Sequence, residues 1–237
     1  MPHPLLTLVL ALGLWLAPLA ASQAAGPSVP LPQYDWQFKG LGGQWDKAQI
    51  LRGWQVATQV CLQCHGLQYV RPRDLMGLGF TEAQVEALAT QAGVDLGQPL
   101  KTALSDEDMK ATYGMVVPDL SVMALARPDG VNYLKALLLG YTDAPADFTG
   151  TNYNKYFPGH NIAMPNPLSD GQITYADGSP ETVTQYSADV AAFLAWAADP
   201  HHVTRQNVGT YVLIFISLMV VLTYVTMKAI WRDVKGK

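Results

Sequence analysis

The chain has 237 residues, enough for one sizeable domain with extensions. Only 14% are charged and mean hydropathy is slightly positive at +0.10, which points to a part of the chain lying in lipid. The net charge is −4, and the acidic excess falls in residues 25–204, which disfavours nucleic acid as a partner.

The first apolar run is Leu5–Leu16, followed by the small-x-small triplet Ser22-Gln23-Ala24. Its length suits the core of an export signal, and Pro18 argues against a membrane span, so residues 1–24 are expected to be a cleaved signal peptide. Residues 26–44 are rich in Pro and Gly and read as an extended lead-in. A helix then runs to about Gly66, with Ile50, Leu51, Trp54, Ala57, Thr58 and Cys61 near one face. A short amphipathic helix starts at Thr81, and Ser105 caps another that opens with three acids. The stretch from Pro118 to Tyr141 reads as two short helices broken at Arg127-Pro128-Asp129-Gly130. Residues 142–168 carry Pro, Gly and Asn throughout and are expected to be an irregular loop. Ile173–Val183 holds an Asp-Gly turn between short β-type runs, which predicts a small hairpin. From Thr184 a helix places Tyr186, Val190, Phe193, Leu194 and Ala197 on one stripe, ending before Pro200. The expected class is mainly α.

Val208–Met227 is twenty residues without a charge, about 30 Å of helix and the thickness of a bilayer core. Lys228, Arg232, Lys235 and Lys237 follow it, against Arg205 alone on the other side. Basic flanks stay cytoplasmic. Residues 205–232 are therefore expected to anchor an exported domain, residues 25–204, with residues 233–237 as a cytoplasmic tail. That domain carries ten Lys/Arg and eighteen Asp/Glu, about −8. Such a charge aids solubility and could steer a basic partner.

The chemistry concentrates in Thr58–Leu75, TQVCLQCHGLQYVRPRDL, which holds the chain's two cysteines. Cys61 and Cys64 could form a disulfide redox pair, but those motifs belong to a βαβ context and this one sits on an amphipathic helix. A zinc site needs a fourth ligand, and no second cysteine pair exists. C-x-x-C-H is the attachment motif of c-type haem. Cys61 and Cys64 are the expected thioethers, and His65 the proximal iron ligand. An open opposite face would suit small-molecule binding, whereas a second strong ligand leaves electron transfer. Of eight methionines, Met164 in PGHNIAMPNPL is the leading candidate, because Pro158, Pro165 and Pro167 stiffen its loop. Core filling is the plain alternative for Met164, and His160 is a rival ligand.

These residues resemble the cytochrome c1 family, the membrane-anchored haem subunit of ubiquinol–cytochrome c oxidoreductase. The likeness runs from about Pro32 to the C-terminus. It rests on the haem segment just quoted, on PDLSVMALAR, on NYNKYFPGHNIAMPNPL and on DGSPETVTQYSADVAAFLAWAADP, in that order before a C-terminal span. It implies a class I cytochrome c-like haem domain with one covalent haem c, and Met164 as axial ligand. It also implies Arg127 on a haem propionate, Tyr133 near the propionates and Pro118 against the haem edge. Further implications are a dimeric complex with cytochrome b in a bacterial inner membrane and a Rieske iron–sulfur protein as electron donor. The acceptor would be a soluble or membrane-bound cytochrome c. The chain departs from the family before Pro118, where Tyr113-Gly114 and Val117 replace Asn-Gly and a second proline, and in the insert Gly77–Lys110. A haem enzyme or gas sensor with a displaceable sixth ligand, and a free-standing tethered shuttle, are the competing readings.

Overall fold

A computed structural model describes residues 29–40, 42–102 and 104–235, so the export signal expected in residues 1–24 lies outside the described residues. The helices are α1 (Lys47–Gln59), α2 (Glu82–Gln91), α3 (Asp106–Tyr113), α4 (Gly130–Leu139), α5 (Val183–Ala198) and α6 (His202–Lys235). Two strands, β1 (Asn152–Tyr153) and β2 (Asn161–Ile162), pair antiparallel with Asn152 opposite Ile162. The chain is mainly α with one small two-stranded sheet, as the sequence leads one to expect.

Helix starts follow local chemistry. Asp46 accepts from the Ala48 and Gln49 amides to begin α1. Thr81 and Gln84 exchange reciprocal bonds at the start of α2, and Ser105 and Thr182 cap α3 and α5. Each cap occupies amides that have no partner inside the helix.

The core forms where α1 crosses α5. Trp54 meets Phe193 edge to face with ring centroids 6.0 Å apart, and Ile50, Val56, Val190 and Trp196 close around them. Gly53 permits the close approach: a Cβ there would stand 2.2 Å from the Asp189 carbonyl oxygen and 2.5 Å from Phe193 Cβ. Gly53→Ala should therefore push the helices apart and cost about 1–3 kcal/mol, as overpacked cores do. Thermal unfolding of the purified domain checks it. Beside Gly53 the same interface holds a charge pair. Asp189 is fully buried and takes bonds from Arg52 Nε at 2.9 Å and Gln185 Nε2 at 2.9 Å, while Arg52 also reaches Asp177 at 2.8 Å.

The extended lead-in is a strap over α4. Trp36 donates to Asn132, Gln33 and Lys39 both bond Asp129, and Lys135 lies 4.1 Å from the centre of the Tyr34 ring.

Two elements differ from expectation. Ile173–Val183 forms no hairpin, because its backbone is claimed elsewhere. The Tyr186 hydroxyl donates to the Ile173 carbonyl and accepts from its amide, Gln55 bonds the Thr174 carbonyl, and Asp177 is drawn to Arg52. The only strands among the described residues fall instead inside the loop expected to be irregular, 142–168. The second difference is Pro118–Ala126, which is a series of turns and not a helix. Asp119 and Ser121 spend their side chains on the amides of Gln68, Tyr69 and Ser121, and the Leu120 amide donates to Gly66. Side-chain competition of this kind takes the donors a helix would need.

α6 is 34 residues, about 51 Å at helical rise, and it is the one described helix long and apolar enough to cross a membrane. Its apolar side chains are largely exposed, with Leu213 at 68% and Phe215 at 60%, an arrangement stable only against lipid or another apolar surface.

Candidate functional site

After α1 the chain tightens into a short turn at Cys61–Gln63, and the Cys64 and His65 amides both donate to the Cys61 carbonyl. Three residues are thereby wound tightly enough to bring both sulfurs and the imidazole to the same end of α1. Both thiols are free. Burial, with Cys64 beside it, pushes the Cys61 thiol up to about 12, so it stays protonated at neutral pH.

His65 is half-buried. Its Nδ1 lies 2.7 Å from the Pro118 carbonyl, so the protonated nitrogen is Nδ1 and the Nε2 lone pair is left for a metal. Burial lowers the pKa of His65, while the Pro118 bond and Asp119 work against that shift. The neutral imidazole is the result, which is the ligating form.

Cys64, His65 and Pro118 line one wall of an apolar cleft with Tyr113, Met115 and Val117. Ala163, Met164 and Pro165 line it too. The structure thus brings His65 and Met164, 99 positions apart, to one cavity. Met164 packs on a small apolar cluster of Tyr133, Leu137 and Ile162, and its carbonyl accepts from the Tyr141 hydroxyl at 3.0 Å. Asn152 Nδ2 bonds the Ile162 and Ala163 carbonyls, and β1 and β2 fix the base of the loop. Three prolines were the sequence reason for a stiff loop. The sheet and these hydrogen bonds, which no local pattern announces, complete it.

Tyr133 is buried, and its pKa is raised by that burial against the opposing pull of the neighbouring Arg127. Arg127 and Tyr133 thus lie together beside the Met164 cluster. His160 does not line the cleft. Its Nδ1 faces the Asn154 carbonyl at 3.3 Å and its ring lies 5.6 Å from that of Tyr153. Met109 is the buried residue of α3, and Met123 packs on the main core. Met115 and Tyr113, neither of them singled out by sequence pattern as site residues, do line the cleft. A larger groove between α1, α2 and residues 175–177 holds no thiol, imidazole or thioether.

A neutral imidazole, a thioether, two free thiols and apolar walls are the donor set a covalent haem requires. A profile of the Cytochrome C1 family matches residues 36–234. The chain belongs to the cytochrome c1 family. Cytochrome c1 of Rhodospirillum rubrum is 37% identical, with 96% of this chain aligned to 97% of that one. Cytochrome c1 of Blastochloris viridis is 40% identical, over 97% of this chain and 95% of the relative. A protein named cytochrome b/c1 from Bradyrhizobium diazoefficiens is 36% identical over 96% of this chain, which covers only 39% of that longer protein. Cytochrome c1 is the haem subunit of the bc1 complex, and its cofactor is one covalently bound haem c. The cleft residues fit that group.

Proposed function

We propose that this cytochrome c1 carries single electrons from a Rieske iron–sulfur protein to a cytochrome c. It does so as part of a ubiquinol–cytochrome c oxidoreductase in a bacterial inner membrane. Residues 1–24 are removed on export, 25–204 form the periplasmic haem domain, 205–232 cross the bilayer beside cytochrome b in a dimeric complex, and 233–237 are cytoplasmic. The basic residues Lys228, Arg232, Lys235 and Lys237 beyond the apolar stretch support that orientation. The fusion named cytochrome b/c1 supports the place beside cytochrome b.

In this reading Cys61 and Cys64 would hold the haem by thioethers, and His65 and Met164 would be the ligands of its iron. Arg127 and Tyr133 receive the propionates, and Pro118 packs the haem edge while its carbonyl orients His65. When bound, the haem supplies a reversible one-electron Fe(III)/Fe(II) couple. The protein's part would be to keep the His65 imidazole and the Met164 thioether in place through either state. Pro118 does this for the imidazole, and Tyr141, Asn152 and the two strands do it for the thioether loop. Preorganised ligands of this kind leave little to rearrange as the charge changes.

The observation that carries the proposal is the meeting of His65 and Met164 in one apolar cleft that the free thiol of Cys64 also lines. Purification from native membranes in mild detergent tests it. Cytochrome b and the Rieske protein should come with the chain, and a free-standing shuttle would come alone. Transfer to a basic cytochrome c should slow as salt rises, because the domain is acidic. A salt-independent rate removes electrostatic steering from the account.

A further inference from the structure

The helix α3 begins within the insert Gly77–Lys110 and runs on to Tyr113, and this last residue reaches the haem cleft. α3 is fixed at both ends. Ser105 Oγ accepts from the Asp108 amide at 3.1 Å at its start, and Gly114, in the left-handed conformation at φ 72°, ends it. Met109 anchors its middle: the residue is buried, and its sulfur accepts from the Val117 amide at 3.4 Å. The last residue of the helix, Tyr113, then enters the cleft lining with its hydroxyl 3.3 Å from Cys64 Sγ.

We propose that the Tyr113 hydroxyl is a positioning and potential-setting group for the haem, donating a hydrogen bond to the thioether sulfur of Cys64. The free thiol and the phenol can each donate in this contact. A thioether sulfur carries no hydrogen, so once Cys64 is attached only the tyrosine donates. The positive end of the O–H dipole then faces the edge of the macrocycle. The oxidised haem carries one more positive charge than the reduced haem, so the bond disfavours Fe(III) and raises the potential. Hydrogen bonds near a redox centre act by this route. The bond also makes the C-terminal end of α3 a wall of the haem site, which gives this helix a function beyond solvated surface.

The proposal rests on thioether attachment at Cys64, which a pyridine haemochrome spectrum reads independently. Tyr113→Phe keeps the ring and removes only the hydroxyl, at a half-buried position. Both parent and variant should give the spectrum of a haem with two saturated vinyls, and the variant should show the lower midpoint potential. In resonance Raman spectra of the parent, a C–S stretching band should move on exchange into D2O, and in Tyr113→Phe it should not. An unchanged potential in the variant, or a parent band indifferent to deuterium, overturns the hydrogen bond. The second measurement needs no variant at all. An unsaturated vinyl in the parent that Cys64→Ser leaves unchanged in number overturns the attachment at Cys64, and this proposal with it.

Discussion

Met164→Leu is expected to retain the haem, lower its reduction potential sharply and admit carbon monoxide to the reduced iron. The thioether stabilises Fe(II), and leucine offers no lone pair in its place. Axial ligands set haem potentials over a range of about 0.8 V, and a fall on the order of a quarter of that range is expected here. Leucine is close to methionine in volume, so the cluster with Tyr133, Leu137 and Ile162 should survive and the effect should be electronic. Met115 is the internal control, since it also lines the cleft but is 49% exposed and lies three residues from Pro118, the partner of His65. Met115→Leu should leave the potential close to that of the parent. A redox titration of both variants, with a carbon monoxide difference spectrum, decides between them. If Met115→Leu drops the potential and Met164→Leu does not, the axial assignment moves to Met115.

The second large effect concerns stability. Arg52→Met leaves the carboxylate of Asp189 fully buried without its cation, though Gln185 still donates to it. Removing one partner of a buried ion pair costs about 3–5 kcal/mol, because the other charge is stranded away from water. For a protein of this size that lowers the melting temperature by roughly 6–20 °C. The pair joins α1 to α5, so the haem-binding turn at the end of α1 should loosen as well. Replacing both members, Arg52→Met with Asp189→Leu, removes the stranded charge and should recover most of the loss. Calorimetry of the single and double variants measures it. A double variant no more stable than Arg52→Met would show that the single loss comes from packing and not from the uncompensated charge.

Much of this protein was legible from its order of residues, for reasons that are local. Caps at Thr81 and Ser105 and the uncharged run of Val208–Met227 act within one or two turns of chain. The C-x-x-C-H motif is local too, since its three functional groups lie within five residues. The small sheet shows the limit. Asp-Gly at 177–178 is a good turn signal, yet Arg52 and Tyr186 draw the flanking residues into other bonds. Asn152 and Asn161, poor strand formers, lie in the strands opposite Ile162 and Tyr153, and their side chains add bonds to the Ile162 carbonyl and the Thr151 amide. Likewise Pro118–Ala126 has helical spacing, but Asp119 and Ser121 find amides across the chain at Gln68 and Tyr69.

By itself the sequence determined the family, the covalent cofactor, the apolar span and the leading candidate for the second ligand. Each is written in adjacent residues or in the fixed order of a few motifs. Only the tertiary structure decided that Pro118 orients His65, that Tyr141 and Asn152 hold the loop of Met164, and that Tyr113 at the end of α3 touches Cys64. The physical reason is range: caps, motifs and hydropathy act between neighbours in the chain, while a hydrogen bond joins residues ten to fifty positions apart only after the core has packed and brought them together.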